Sequence, residues 1–162
     1  MNEMYNMAMA MKILEHSSIL DVEEGIICHQ VNCIGVMKAG LAKQVKARWP
    51  DVFKQYASLC QSCKDMPGQL LGKVQDIAVS DKLVIANCFG QVYPGNGLMT
   101  CYEAWKHIIT QLLDAASYFG SNAIHLPYMV GCGLAGGDWK VMSEVLENGF
   151  KGHDVEVMLH KL

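Results

Sequence analysis

Charged residues and long apolar runs are both scarce in this sequence. Of its 162 residues 18% are charged, with 13 lysines and arginines against 16 aspartates and glutamates. This small negative balance excludes the basic surface of a typical nucleic-acid-binding domain and the polybasic segment of a membrane anchor. No apolar run reaches the roughly 18 residues that a transmembrane helix needs. We therefore expect no membrane association and no direct binding of nucleic acid.

Paired cysteines and regularly spaced metal ligands are missing as well. The seven cysteines are an odd number at mostly wide spacing, unlike the disulfide framework of a small secreted domain. Cys60-Gln61-Ser62-Cys63 is a lone CxxC pair, whereas a structural zinc site needs a second pair of cysteine or histidine ligands. We interpret the pair as the end of a helix and expect a cytoplasmic protein with no metal and no cofactor. Apart from His29, the histidines share no metal-binding spacing and stand at positions 16, 107, 125, 153 and 160.

Hydrophobic residues, by contrast, make up 51% of the chain, which is enough for one domain with a buried core. Residues 1–11 are interpreted as a loose leader, because their apolar residues are mainly scattered methionines, and the domain is expected over residues 12–162. Thr100 with Glu103 predicts a capping box at the start of a long helix, and Gly120 ends that helix. Strands that alternate with helices predict an α/β domain with helices on both faces of one sheet. The predicted strands lie at 12–15, 25–31, 70–78, 82–88, 123–127 and 155–159, and the predicted helices at 41–49, 51–60, 100–119 and 139–146.

Two glycine-containing loops follow the carboxyl ends of predicted strands, at 32–40 and 131–138. In an open α/β sheet those strand ends line the ligand crevice. Each loop leads into a helix N-terminus, where free amides and the helix dipole favour an anion such as a phosphate. Two such loops predict a site for a diphosphate between them. Neither loop has the pattern GxxxxGK[ST] or GxGxxG, which disfavours an ATPase and a dehydrogenase.

Three motifs in a fixed order then resemble one family. HQVNCIGVMKAGLAKQVK, NCFGQVYPG with TCYEAW, and LPYMVGCGLAGGDW are similar to motifs of macro domains. The branch that the chain resembles most is that of the ADP-ribose-1″-phosphate phosphatases, which also includes terminal ADP-ribose glycohydrolases. The resemblance runs from Lys12 to the C-terminus. It implies a three-layer α/β/α sandwich with a central mixed sheet, and a cleft for ADP-ribose or a derivative, free or on an ADP-ribosylated macromolecule.

The resemblance also implies roles for individual residues. Asn32 stands where the family places an asparagine that faces the distal ribose, and the two glycine loops stand where it holds the diphosphate. The ligand-binding positions that the resemblance implies are Ser18, Ile19, Asp21, Asn32, Gly35, Val36, Met37, Lys38, Gly40, Leu41, Phe89, Gly90, Gln91, Tyr102, Gly131, Cys132, Gly133, Leu134 and Ala135.

The chain departs from the family pattern at three places. Ser18 replaces the aspartate that bonds the adenine amine in many members, which leaves Ser18 or the nearby Asp21 as the group that reads adenine. Lys38 replaces the middle glycine of a VMGAG motif and either meets an anionic group on the distal ribose or points to solvent. The glycohydrolase branch uses a lysine and an aspartate where this chain has Phe89-Gly90-Gln91 and Ala135. Both catalytic groups are absent, which argues against a lysine nucleophile.

Catalytic candidates are few, and each has a structural alternative. His29 is either a general acid or base or a core histidine, and strand alternation places it opposite Asn32 unless the chain bends. Asp138 either activates a water molecule or caps a helix. With Asn32, these residues leave three hypotheses open: hydrolysis of ADP-ribose-1″-phosphate, hydrolysis of an ADP-ribosyl conjugate, and non-catalytic binding of an ADP-ribose-derived nucleotide. We favour binding of an ADP-ribose derivative, with the phosphatase as the first candidate reaction.

Overall fold

A six-stranded mixed sheet forms the middle of the molecule. The computed structural model describes residues 10–162, so most of the leader predicted at 1–11 lies outside the described residues. The strands follow one another in space as β1-β6-β5-β2-β4-β3, and only β3 is antiparallel to its neighbour. The strand bounds are β1 Met11–Leu14, β2 Gly25–Val31, β3 Val74–Ala78, β4 Leu83–Phe89, β5 Ala123–Pro127 and β6 Glu156–His160.

Four helices cover the two faces of this sheet and confirm the three-layer prediction. Ile26 and Cys28 of β2 pack in one apolar cluster with the third and fourth helices. Ile27, which points to the opposite face because side chains alternate along a strand, packs with Val45 and Val52 of the first two. The helix bounds are α1 Gly40–Arg48, α2 Pro50–Ser62, α3 Tyr102–Phe119 and α4 Trp139–Phe150.

The central position of β2 determines where a ligand site can form. Its sequence GIICHQV is almost continuously apolar, as expected of a parallel strand buried on both faces, and β4 and β5 pair with it on either side. Because β2 and β5 are parallel neighbours, their carboxyl ends lie side by side at one edge of the sheet. The two glycine-containing loops therefore begin next to each other, as the diphosphate prediction requires.

The predicted start of the long helix was wrong. The helix begins at Tyr102, and Cys101 precedes it without a side-chain cap. Thr100 Oγ1 donates instead to the carbonyl oxygen of Gly131 at 2.6 Å, and Glu103 pairs with Lys106 on the surface. The predicted end was correct, since Gly120 adopts a left-handed conformation with φ of 66°. The Thr100 hydroxyl therefore forms a tertiary hydrogen bond to the second loop and is not available to cap the helix.

Other differences from the sequence prediction are small. The strand predicted from residue 70 begins at Val74, because Pro67–Leu70 form a 3₁₀ turn. Cys60 lies in the last turn of α2 and Cys63 directly follows that helix, as expected of the CxxC pair. Within residues 10–162 no group of three or more histidine, cysteine or acidic side chains is arranged to hold a metal ion. No helix of this range is long and apolar enough to span a membrane.

Candidate functional site

Asn32 shapes the loop that follows β2. Its Oδ1 accepts hydrogen bonds from the amides of Ile34 (3.1 Å) and Val36 (3.2 Å), and its Nδ2 donates to the carbonyl oxygen of Val36 at 2.8 Å. The hydroxyl of Tyr56 lies 2.7 Å from the carbonyl oxygen of Asn32 and 2.8 Å from Oδ1, and shares its proton between them. This amide therefore closes the loop on itself. Its second N–H has no acceptor among residues 10–162, and Asn32 lines a cavity beside the loop.

The same loop ends at a helix N-terminus that is open to that cavity. Ala39 occupies the N-cap position of α1 and supplies no side-chain cap. The first amides of an α-helix have no partner within the helix, and together with the helix dipole they favour an anion. Ala39, Gly40, Leu41 and Ala42 all line the cavity. An anionic group bound there would supply the missing cap.

The second loop is folded so that several of its amides remain free. Gly137 N donates to the carbonyl oxygen of Gly131, and Gly136 N donates to that of Gly133, both at 3.0 Å. Within the described part of the chain, the amides of Gly133, Leu134 and Ala135 have no protein acceptor. All three residues line the same cavity, so these donors suit a diphosphate.

The helix after the second loop does not contribute its N-terminus. Asp138 is the N-cap of α4, and its Oδ1 accepts a bond from Lys140 N at 2.9 Å. The sequence prediction that both loops present a free helix N-terminus is therefore correct for α1 and wrong for α4. Asp138 itself lines neither this cavity nor the second one described below. Of the two alternatives for Asp138, these contacts support the helix cap.

A glutamine in β2 ties the second loop to the sheet. Gln30 accepts from Trp105 Nε1 at 2.6 Å and donates to Thr100 Oγ1 at 2.9 Å, and Thr100 in turn donates to Gly131. Gly90 lies against the same amide, where any side chain would collide with Gln30. The position of the second loop thus depends on a fully satisfied polar network beneath it.

The first cavity, of about 480 Å³, lies between the two loops. Its predicted lining residues come from both loops and from the end of β2, so the structure brings most of the expected diphosphate site together. Leu134 stands at the rim with 72% of its surface exposed. The predicted site residues that line this cavity are His29, Asn32, Val36, Lys38, Gly40, Leu41, Gln91, Gly131, Gly133, Leu134 and Ala135.

A second cavity, of about 750 Å³, adjoins the first and shares Gly40, Leu41 and Pro127 with it. Ser18 and Ile19, the residues expected near adenine, line this second cavity. The Oγ of Ser18 already accepts a bond from Leu20 N at 3.3 Å, as the N-cap of a short 3₁₀ turn. The two cavities together form one extended cleft along the carboxyl edge of the sheet.

Several predicted site residues lie behind the cleft and not on its surface. Met37 and Phe89 are buried in an apolar cluster with Tyr56, and the Tyr102 hydroxyl accepts a bond from Asp138 N at 2.8 Å. These side chains support the loops from behind. The predicted residues that line neither cavity are Asp21, Gly35, Met37, Phe89, Gly90, Tyr102, Cys132 and Asp138.

His29 is buried, with 1% of its surface exposed, and lines the first cavity together with Asn32. The two share a cavity because Asn32 lies beyond the end of β2, where strand alternation no longer applies.

The hydrogen bonds of His29 fix its tautomer. Nε2 of His29 lies 2.6 Å from Oδ1 of Asn87, whose Nδ2 donates to Gln75. The amide oxygen can only accept, so Nε2 carries the proton. Nδ1 is then a free acceptor with no protein partner in the described chain. Burial lowers the pKa of His29 from 6.5 to about 4, with the bond to Asn87 opposing that shift, so the ring is neutral at neutral pH.

Sequence reasoning missed lining residues of two kinds. Pro94 and Gly95 come from the loop after β4, and the PGNG sequence there was a turn signal that could have included them. Ser17 and His160 line the second cavity, but they are neighbours only because β1 pairs with β6. No local pattern predicts that pairing.

Comparison with known proteins supports the fold. No family model matches the chain, and no curated protein matches its sequence. A protein of unknown function from Bacteroides thetaiotaomicron superposes with a TM-score of 0.83 at 24% identity, over 96% of this chain and 99% of that one. The macrodomain of Thermus aquaticus DarG gives a TM-score of 0.77 at 20% identity, over 94% and 98%. Thermosipho africanus DarTG in complex with ADP-ribose gives 0.77 at 16%, over 94% of this chain and 41% of that one. The chain therefore has the macrodomain fold.

Proposed function

We propose that the chain binds ADP-ribose or an ADP-ribose derivative in the extended cleft. The observation that carries the proposal is the convergence of the open N-terminus of α1 and the free amides of Gly133, Leu134 and Ala135 on one cavity. These neutral donors suit a diphosphate, and Lys38 adds a cation at the same cavity. A solved structure with the same fold contains ADP-ribose.

The size and division of the cleft agree with such a ligand. We propose that the diphosphate and distal ribose occupy the first cavity, which Asn32 and His29 line, and that the adenosine occupies the second, which Ile19 lines. Leu134, which lines the first cavity, is exposed to solvent, and we propose that the distal end of the ligand lies at this exposed side. An ADP-ribosyl group attached to a macromolecule is therefore an alternative ligand of the same site. The seven free thiols suit a cytoplasmic place of action, which we propose with it.

Binding is tested by calorimetric titration with ADP-ribose. A side chain at Gly133 meets no protein atom within 4 Å, so it would extend into the space where the diphosphate is expected. Gly133→Glu places a carboxylate there, and we expect it to reduce the affinity for ADP-ribose at least 100-fold. Gly68→Glu is the matched control, because Gly68 also has open space around it and lies outside the cleft. A wild-type protein that binds no ADP-ribose, or a Gly133→Glu variant with unchanged affinity, would contradict the proposal.

We further propose that the bound nucleotide is hydrolysed, with ADP-ribose-1″-phosphate as the first candidate substrate. The supporting observation is that Nδ1 of His29, a residue that lines the cavity, is buried without a hydrogen-bond partner among the described residues. The proposed step requires a water molecule to reach this buried nitrogen from the cavity. Nδ1 then accepts a proton from that water as the water oxygen bonds to phosphorus, the bond from phosphorus to the anomeric oxygen breaks, and that oxygen receives the proton. The free N–H of Asn32 and the loop amides would hold the phosphoryl oxygens.

Two alternatives use the same cleft. Water activated by His29 could attack the anomeric carbon of an ADP-ribosyl conjugate, or the protein could bind the nucleotide without turnover. Phosphate release from ADP-ribose-1″-phosphate identifies the first reaction, and chromatography of an ADP-ribosylated substrate identifies the second. Tight binding with neither product would identify a non-catalytic binder.

A further inference from the structure

A second polar chain, separate from His29, ends at the cavity where the adenosine is proposed. Ser17 Oγ lies 2.7 Å from Nδ1 of His160. Nε2 of His160 lies 2.8 Å from Nδ1 of His125, and Nε2 of His125 lies 3.1 Å from the carbonyl oxygen of Glu24. Both histidines are buried, each with 7% of its surface exposed. Ser17 and His160 line the second cavity.

The direction of each hydrogen bond follows from the last one. A carbonyl oxygen only accepts, so His125 carries its proton on Nε2, and its Nδ1 must accept from Nε2 of His160. Nδ1 of His160 then has no proton, and the hydroxyl of Ser17 must donate to it. This assignment requires neutral rings, and burial lowers the pKa of His125 to about 4 and also lowers that of His160.

The consequence lies at the cavity surface. A serine hydroxyl normally donates one hydrogen bond and accepts others, but the single proton of Ser17 is committed to His160. Its remaining capacity is that of an acceptor. Ser18, the alternative suggested by the sequence, accepts one bond from Leu20 N but keeps its own proton, so it can donate as well as accept and would not by itself prefer an amine. Asp21 lies outside the cavity. Lys43 and Lys161, which also line it, are donors only. Gln44 and Tyr128 line it too, but each can donate as well as accept, so neither discriminates an amine from a carbonyl oxygen as Ser17 does.

The backbone holds Ser17 in this position. His16, the residue before it, has φ of 52°, which is uncommon for any residue except glycine and is strained. Ser17 N donates to the carbonyl oxygen of Lys161, and Lys161 N donates to that of Leu14, both at 2.9 Å. The chain therefore turns sharply after β1 and is pinned against β6, the strand that ends with His160.

We infer that Ser17 is the acceptor that reads an N–H donor on the nucleobase, and that His160 and His125 are positioning residues that keep it an acceptor. The class of ligand is a nucleotide whose base carries an exocyclic amine at this point, as adenine does, in preference to one with a carbonyl oxygen. This inference rests on the proposed function and states which nucleobase the same cleft prefers.

The experiment compares the affinities of two nucleotides on each variant. ADP-ribose carries the adenine amine, and its inosine analogue has a carbonyl oxygen in that place. We expect wild-type protein to prefer ADP-ribose about 10-fold, since the analogue leaves Ser17 unpaired and sets two acceptors against each other. Ser17→Ala should bring the two affinities to within about 2-fold. His160→Phe should do the same with Ser17 still present, because the freed proton of Ser17 can then donate to the carbonyl.

Two further variants make the result specific. Ser62→Ala removes a hydroxyl at the end of α2 that donates to Leu59, and should keep the wild-type preference. Ser18→Ala tests the neighbouring serine, and loss of the preference there would overturn the inference. The ratio is measured within each variant, so a general loss of affinity does not imitate it, and thermal unfolding confirms that each variant is folded.

The outcomes separate the two proposals. If wild-type protein binds neither nucleotide, the proposed function fails. If it binds both equally, or if Ser17→Ala keeps the 10-fold preference, ADP-ribose binding stands and the role of Ser17 is overturned. If His160→Phe keeps the preference, the assignment of His160 as a positioning residue is overturned.

Discussion

At the scale of single residues, the histidines show how burial and hydrogen bonding determine chemistry. His29, His125 and His160 have the same imidazole ring, but only His29 has a ring nitrogen with no protein partner among the described residues. In each ring a fixed acceptor, the oxygen of Asn87 or of Glu24, decides which nitrogen carries the proton. A neutral ring with a fixed tautomer is a defined donor and acceptor, which an exposed histidine is not.

His29→Gln should separate catalysis from binding. The glutamine amide can still donate to Asn87 in place of Nε2, but it has no group at the position of Nδ1. We expect phosphate release from ADP-ribose-1″-phosphate to fall about 100-fold or more, which is the usual contribution of a general base, while ADP-ribose affinity changes less than about 3-fold. Rates come from phosphate detection and affinities from calorimetry.

His107→Gln is the control for this substitution, because His107 is exposed on α3. Wild-type turnover should be level through neutral pH and decline only as the pH falls toward about 4, where His29 becomes protonated. Turnover that survives in His29→Gln would leave the ring with a purely structural role.

At the scale of secondary-structure elements, the sequence predicts best where the signal is local. The bounds of β2 and β5 were predicted to the residue, because a buried strand reads as a compact apolar run. Gly120 and Asp138 end and begin their helices as predicted, since caps act over a few residues. The capping box predicted at Thr100 does not form, because the Thr100 hydroxyl bonds to Gly131, 31 residues away.

In the candidate site, too, the features with a local sequence signal were predicted and the long-range contacts were not. The two loops were predicted from their glycines and from their places after β2 and β5, and both line the first cavity. The support beneath them was not predicted, because Gln30 and Trp105 meet across 75 positions in the sequence. The pairing of Ser17 with His160 spans 143. Contacts of this length depend on strand order, and a single sequence carries no direct signal for that order.

Thr100→Val tests whether the polar network beneath the second loop supports binding. Valine has almost the same shape but leaves the carbonyl oxygen of Gly131 and an N–H of Gln30 without that hydroxyl. We expect a loss of about 1–3 kcal/mol in the free energy of unfolding, the cost of leaving such groups unpaired, and about 10-fold weaker binding of ADP-ribose. Denaturant titration and calorimetry measure the two effects.

The matched control is Thr110→Val, in the helix α3 that follows Thr100. Thr110 is exposed on α3 and its hydroxyl donates only within that helix, to Lys106 at 3.4 Å. It should change neither quantity by more than about 0.5 kcal/mol or 2-fold. If Thr100→Val binds ADP-ribose as tightly as Thr110→Val, the second loop keeps its shape without the network.

At the scale of the whole molecule, stability comes from apolar packing between the helices and the sheet, and not from surface ion pairs. Two apolar clusters lie on the two faces of the sheet, and a third lies below the first loop. The four ion pairs in the described chain have side chains between 43% and 87% exposed, and exposed pairs contribute little. Mild acid should therefore act on stability mainly through buried titratable groups.

Those groups predict a loss of stability between about pH 6.5 and pH 4. His29 has a folded pKa of about 4, below its unfolded value of 6.5, so in this window the unfolded chain binds a proton that the folded chain does not. The stabilisation from neutral His29 is present above pH 6.5 and is lost as the pH falls to about 4, by roughly 3 kcal/mol for a fully buried ring. His125 and His160 act in the same direction. Burial raises the pKa of Asp76, which has the opposite effect, because its protonation in acid relieves the cost of a half-buried charge.

Urea unfolding at a series of pH values measures this dependence, and the His29→Gln variant isolates the contribution of one ring. We expect the free energy of unfolding of wild-type protein to fall steadily across the window, and that of His29→Gln to fall with a visibly smaller slope. His107→Gln should follow the wild type, since its ring is exposed in both states. Equal slopes for all three proteins would mean that His29 is protonated in the folded state near pH 6, and a cationic ring at the cavity would no longer serve as the base that accepts a proton from water.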